Sequence, residues 1–126
     1  MSDGAALVRS YLHSFATGDV EAIAAHVTDD FVNEHTAAMG SGCTGRAAYL
    51  ARLPGFLAAL PGLRYEVEQV VVQGDRAAAA YRMTATSDGH PVDLRGAMVF
   101  ELAGGRIAKR TDYWDSLTYL RQVGQA

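Results

Sequence analysis

The chain lacks most of what staples or anchors a protein. Of its 126 residues only one, Cys43, is a cysteine. An intramolecular disulfide is therefore impossible, and a cysteine-built zinc site is excluded. The four histidines, His13, His26, His35 and His90, show no metal-ligand spacing, so no metal is expected. Eleven basic and 14 acidic residues leave a net charge of -3, with no basic run and no aromatic motif of the RNA-binding kind. That balance favours neither nucleic acid nor an anionic membrane as a partner. No stretch approaches the ~20 apolar residues that span a bilayer. The opening Met1-Ser2-Asp3-Gly4 has no basic segment leading into an apolar run. A cytoplasmic protein is expected.

What is present suits a globular domain. Hydrophobic residues make up 49% of the chain, which argues against disorder. The length fits a single domain over residues 1–126, large enough to bury roughly two thirds of its unfolded surface. No internal repeat or linker stands out.

Helices come first. Ser2 or Asp3 can cap a helix carrying Leu7, Val8, Tyr11, Leu12 and Phe15 at helical spacing. Gly18 suits the left-handed position that ends it, and Asp19 can cap a short second helix bearing Ile23 and Val27. Asp29-Asp30 breaks that helix. Phe31 to His35 reads as a short strand, and Thr36 to Gly45 as loop. A third helix carries Tyr49, Leu50, Leu53, Leu57 and Leu60, and Pro54 inside it predicts a kink or two short helices.

From Leu63 the texture changes to strands: Leu63–Gln73, Ala77–Thr86, Val92–Leu102 and Arg106–Trp114, separated by Gly-rich turns. Ser116–Val123 returns to helix. Helices first and a strand meander last mean α+β, with an antiparallel sheet. Ala97-Met98-Val99-Phe100 is apolar at consecutive positions, which predicts cover on both faces of the sheet.

Asp112 is the leading chemical candidate. Aspartate is depleted in strands, so one placed late in a strand among apolar residues needs a compensating reason. A carboxylate facing an apolar pocket has its pKa raised, which suits a general acid or base. Alternation puts Ala108, Arg110, Asp112 and Trp114 on one face. The plainer alternatives are an ion pair with Arg110 or Arg82, or a surface acid at the strand end. Gly40-Ser41-Gly42-Cys43-Thr44-Gly45 spells a dinucleotide fingerprint, but no long buried strand precedes it and no parallel βαβ unit follows. It reads as a loop at a pocket mouth.

Phe15-Ala16-Thr17-Gly18-Asp19, then Val27-Thr28-Asp29-Asp30-Phe31, a helix and four hairpin-linked strands resemble the nuclear transport factor 2-like superfamily along nearly the whole chain. The ending Asp112-Tyr113-Trp114-Asp115 before a leucine-bearing helix is similar to the SnoaL-like polyketide cyclases, the ketosteroid isomerase-like proteins and the limonene epoxide hydrolases. The resemblance implies a cone-shaped, strongly curved sheet wrapped around N-terminal helices, with an internal apolar pocket. It also implies a homodimer through the outer sheet face.

Site residues follow from the same resemblance. Asp112 matches a catalytic acid, and His35 stands where ketosteroid isomerases place their aspartate and many SnoaL-like members a histidine. The plain alternative for His35 is a loop histidine bonded to backbone. Tyr11 matches the oxyanion-binding tyrosine of ketosteroid isomerase, itself a standard example of pKa tuning. It reads equally as a core aromatic. Arg82 matches an epoxide hydrolase arginine, and reads equally as an exposed strand residue. It is also a possible partner for Asp112. Thr84 stands where those hydrolases have a second acid, and Ala97 or Met98 where the isomerase has one. Trp114, Phe56, Leu57, Met83 and Met98 are candidate pocket-lining residues.

The expectation is a cofactor-independent isomerase, cyclase or dehydratase acting on a hydrophobic oxygenated small molecule. The alternatives are an epoxide-opening enzyme and a non-catalytic binder of small ligands or proteins.

Overall fold

The structure is a computed structural model and describes residues 3–125. Helix α1 spans Asp3–Ser14 and turns Val8, Tyr11 and Leu12 inward. Ser2, the other candidate cap, lies outside the described residues. A single 3-10 turn at Phe15–Thr17 closes on Gly18, whose φ of 71° is the left-handed position glycine tolerates best. Asp19 then accepts hydrogen bonds from the amides of Glu21 and Ala22 and caps α2, Val20–Ala24.

Strand β1 is Val27–His35, four residues longer at its start than the Phe31–His35 expected. Asp29 and Asp30 are tolerated because they are exposed and lie where the pairing of β1 with its neighbour shifts register. The following segment is not all loop. Cys43–Thr44 forms a short β2, antiparallel to Val32 and Asn33 of β1. The fingerprint glycines serve this packing. A Cβ on Gly40 would run into the His35 side chain, and one on Gly42 into the Asn33 carbonyl.

Helix α3, Arg46–Ala59, is one continuous helix despite Pro54. Of the two expectations, a kink or two short helices, the second is not met, although Pro54 offers no amide to the Leu50 carbonyl one turn earlier. The long strands follow the expected meander: β3 Arg64–Gln73, β4 Arg76–Ser87, β5 His90–Ala103 and β6 Arg106–Tyr113. Asp115 caps the last helix, α4, Ser116–Gln122, by accepting from the Leu117 amide.

These strands form one six-stranded sheet in the order β2-β1-β6-β5-β4-β3. All pairs are antiparallel except β1 with β6, which is parallel. A meander alone predicts no such pair; it arises because the N-terminal strand inserts beside the C-terminal one. Its register sets Asn33 beside Arg110 and His35 beside Asp112.

The inner face carries Tyr65, Tyr81, Met98, Phe100 and Ile107 against α1 and its following turn. Each fully buried side chain of this size stabilises by roughly 1.5–3 kcal/mol relative to exposure. The outer face is different. Met98 and Phe100 are fully buried but Val99 between them is 38% exposed, so the apolar run of β5 has cover on one side only within this chain. Cross-strand register lines up Val71, Ala78 and Val99 on that outer face.

Candidate active site

β6 carries two buried charged residues, Arg110 and Asp112. Its pairing with β5 slips between Glu101 and Leu102, leaving an extra residue near Ala108. The slip changes the phase of the strand: Ile107 faces inward, and then Arg110 and Asp112 do. Simple alternation from Ala108 therefore gave the right face for Arg110 and Asp112 but not for the start of the strand. Both polar residues are buried, at 3% exposure each.

Asp112 has two unlike oxygens. Oδ1 accepts the hydroxyl proton of Tyr81 at 2.7 Å. Oδ2 has Arg110 Nη2 and His35 Nδ1 at 3.8 Å each, beyond hydrogen-bond range. Burial pushes the Asp112 carboxyl above the ordinary range, while the Arg110 charge and the Tyr81 hydrogen bond pull it back.

Arg110 is the hub. Its Nη1 donates to the Tyr11 hydroxyl at 2.7 Å, and its Nη2 lies 3.2 Å from His35 Nε2. Tyr11 in turn shares a hydrogen bond with the Tyr49 hydroxyl. Burial first, and then the Arg110 and Arg52 charges, lower the His35 pKa to about 4, so the ring is neutral at pH 7. The Trp114 indole Nε1 lies 3.3 Å from His35 Nδ1.

Tyr81 reaches Asp112 across an intervening strand because Gly96 lies beneath it. Gly96 is the register partner of Tyr81, and a Cβ there would sit 2.5 Å from the Tyr81 hydroxyl and 2.8 Å from the Tyr113 carbonyl. Only a residue without a side chain lets the phenol ring lie this close to the sheet.

Two cavities meet this cluster. The larger, of about 280 Å³, has Asp112, His35, Tyr81 and Trp114 on its polar side and Met39, Phe56, Leu60, Met83 and Leu94 as apolar wall. The smaller, of about 40 Å³, lies against Asn33, His35, Tyr49, Arg52 and Arg110. Asn33 Oδ1 and Arg110 Nε are buried without a hydrogen-bond partner.

The structure thus brings Asp112, His35 and Trp114 together, with Phe56 and Met83 on the cavity wall. It does not bring Arg82. That side chain lies on the outer face, bonded to Asp93 at 2.9 and 2.6 Å, and does not pair with Asp112. The inward residues of β4 are Ala77, Ala79, Tyr81 and Met83, which by period two forces Arg82 outward. Tyr11 is fully buried, lines neither of these two cavities and accepts a hydrogen bond from Arg110. Met98 is sealed in the core, and Leu57, turned about 100° around α3 from Phe56, packs on the core instead of the cavity.

Arg110, Tyr81, Tyr49 and Asn33 were not among the expected site residues. The signal for Arg110 was its place two residues before Asp112, and for Tyr81 the apolar alternation of β4. Among the described residues no group of three or more potential metal ligands converges, and no helix is long and apolar enough to cross a membrane.

A helix-backed curved sheet with a buried carboxylate at the cavity end of its last strand defines a class, the nuclear transport factor 2-like α+β cone. Residues 8–110 match the family model described as the SnoaL-like domain, and the chain belongs to that family. Proteins of this fold include polyketide cyclases and epoxide hydrolases. A search of curated proteins finds no match.

Solved structures agree on the fold. A protein of ketosteroid isomerase-like fold from Catenulispora acidiphila, in complex with trimethylamine, superposes with a TM-score of 0.87 at 17% identity, over 95% of this chain and 93% of that one. A LEH-like epoxide hydrolase from M. tuberculosis gives 0.83 at 20% identity, over 98% and 93%. A protein described as a polyketide cyclase from Xanthomonas campestris pv. campestris gives 0.79 at 23%, over 97% of each chain. At these identities the likeness is one of fold.

Proposed function

We propose that the protein is an acid–base enzyme that isomerises, cyclises or dehydrates a hydrophobic oxygenated small molecule, of polyketide or steroid-like size. One observation carries this reading: the unbonded Oδ2 of Asp112 beside an apolar-walled cavity, with Oδ1 fixed by Tyr81. Oδ2 takes a proton from carbon next to a carbonyl. The C–H electron pair passes into the enolate, and the proton returns to a different atom or leaves with a hydroxyl as water. The Arg110 charge favours the ionised carboxylate against the effect of burial, and Tyr11 and Tyr49 hold Arg110. Neutral His35 orients the cluster. A mostly apolar cavity excludes water and strengthens each contact.

Epoxide hydrolysis is less well supported, because Asp112 is the carboxylate among the residues that line the two cavities and a second acid is missing there. We also read the open outer sheet face, with Val71, Val99 and Tyr113 exposed, as the surface of a homodimer. Sedimentation of the wild type and a Val99→Glu variant tests that reading, the variant shifting toward monomer.

The test of the activity is deuterium uptake from D2O at α-carbons of a panel of hydrophobic ketones, followed by NMR. Wild type should exchange, and Asp112→Asn should slow exchange by about 10²–10⁴-fold, the usual worth of a positioned acid or base. Retention within a few-fold removes Asp112 as the catalyst. Binding without any exchange indicates a binder. Uptake of ¹⁸O from labelled water into an epoxide-derived diol points to hydrolysis.

A further inference from the structure

Two donors converge on one imidazole. Arg110 Nη2 lies 3.2 Å from His35 Nε2, and Trp114 Nε1 lies 3.3 Å from His35 Nδ1. A guanidinium and an indole N–H only donate. A neutral imidazole accepts through one nitrogen and donates through the other. One of these two contacts therefore cannot be a hydrogen bond.

The competition has a decided outcome. Arg110 is a buried cation, 3% exposed, whose nearest carboxylate oxygen is 3.8 Å away. Its charge-assisted bond to His35 is the stronger one, and losing it leaves a buried charged donor unpaired. Nε2 must then be the acceptor, and Nδ1 carries the proton. That proton faces Asp112 Oδ2, 3.8 Å from Nδ1, which favours the same tautomer. The Trp114 N–H is left opposite another N–H.

Trp114 is half-buried and lines the larger cavity beside Asp112. Of the other donors on this cavity, the His35 Nδ1–H faces Asp112 and Tyr65 is only 7% exposed, so the Trp114 indole is the more open one. Tyr81 gives its proton to Asp112, and Tyr119 is bonded to Ser87 at 2.7 Å. Tyr11 reaches neither cavity.

We propose that the indole N–H of Trp114 is the donor that receives a ligand's carbonyl oxygen in the larger cavity, placing the adjacent carbon against Asp112. The ligand class is a hydrophobic ketone or ester with an unprotonated acceptor oxygen. The assignment rests on the acid–base reading for the role of that oxygen, which becomes the enolate oxygen, but not for the hydrogen bond itself.

The chain's sole tryptophan gives a single indole signal in ¹⁵N-labelled protein. Imidazole ¹⁵N shifts should show His35 as the Nδ1–H tautomer. 2-Acetylnaphthalene should shift the indole N–H and bind more tightly than 2-ethylnaphthalene, which lacks the oxygen. Trp114→Phe, checked for folding by circular dichroism, should weaken the ketone about tenfold, the worth of one neutral hydrogen bond, and leave the hydrocarbon unchanged.

An Nε2–H tautomer with an indole signal indifferent to ketone overturns the proposal. So does a ketone that binds wild type no better than the hydrocarbon, or fails to bind. The same probe has exchangeable methyl protons. Ketone binding through Trp114 without deuterium exchange sinks the acid–base reading and leaves this proposal standing. Exchange with unchanged affinity in Trp114→Phe does the reverse.

Discussion

Arg110 donates to the Tyr11 hydroxyl at 2.7 Å, joining the last strand to the first helix through residues 99 positions apart in sequence. The bond sits behind the cavity, not in it. It ties Tyr11 to a buried cation whose Nη2 lies 3.8 Å from Asp112 Oδ2.

Removing that cation should be costly. Arg110→Gln leaves Asp112 buried without a counter-charge and strips Tyr11 of its donor. We expect a loss of about 3–5 kcal/mol in urea unfolding, the usual result of breaking a buried pair on one side. Asp112 should titrate still higher in whatever folded protein remains. A loss below 1 kcal/mol would mean that the guanidinium is not the hub described.

Tyr81→Phe deletes the hydrogen bond to Asp112 Oδ1 and keeps the ring. That bond favours the ionised carboxylate, so without it the pKa of Asp112 rises further. The acid limb of the pH–rate profile should move to higher pH, with a stability loss of about 1–2 kcal/mol. An unmoved acid limb would separate Tyr81 from the chemistry.

Gly96→Ala should reproduce the Tyr81→Phe profile by another route. The new Cβ occupies the place of the phenol hydroxyl and cannot retreat, because the Tyr113 carbonyl is 2.8 Å away on the other side. Overpacking of this kind costs about 1–3 kcal/mol. If Gly96→Ala folds with an unchanged pH profile, Tyr81 has a second way to reach Asp112.

His35 should make the fold sensitive to mild acid. Its folded pKa of about 4 lies below the ordinary value of 6.5. Above pH 6.5 folded and unfolded chains are both unprotonated there, and the contribution is fully present. As pH falls toward 4 the unfolded chain takes up a proton that the folded chain refuses, and stability declines across that window. The loss is on the order of 1–2 kcal/mol once partial exposure is allowed for. His35→Gln should flatten the decline, measured by chemical denaturation from pH 4 to 7.

Arg82→Ala is the contrasting case. The Arg82–Asp93 pair is exposed on the outer face. Deuterium exchange and ketone affinity should stay within about twofold of wild type, as for surface changes away from a site.

Much of this protein is written locally. The left-handed Gly18, the Asp19 and Asp115 caps and the four hairpin strands are each set by residues within a few positions of one another, through dihedral preference, capping and period-two patterning. Asp112 was legible for the same reason: a carboxylate in an apolar strand is anomalous where it stands. The partners of Asp112 were not. That His35 lies beside it depends on the parallel pairing of the first strand with the last, a contact between segments 77 positions apart that no local preference encodes. That Tyr81 and not Arg82 faces it depends on which side of β4 packs on α1, although the alternation of small and apolar residues carried that information. Trp114 was legible as a cavity residue, but its hydrogen-bonding state was not, because it is decided by a buried cation competing for the same imidazole. The sequence set the elements and the anomalous acid. The closing of the sheet set the site, because only there are charges desolvated and donors forced to share acceptors.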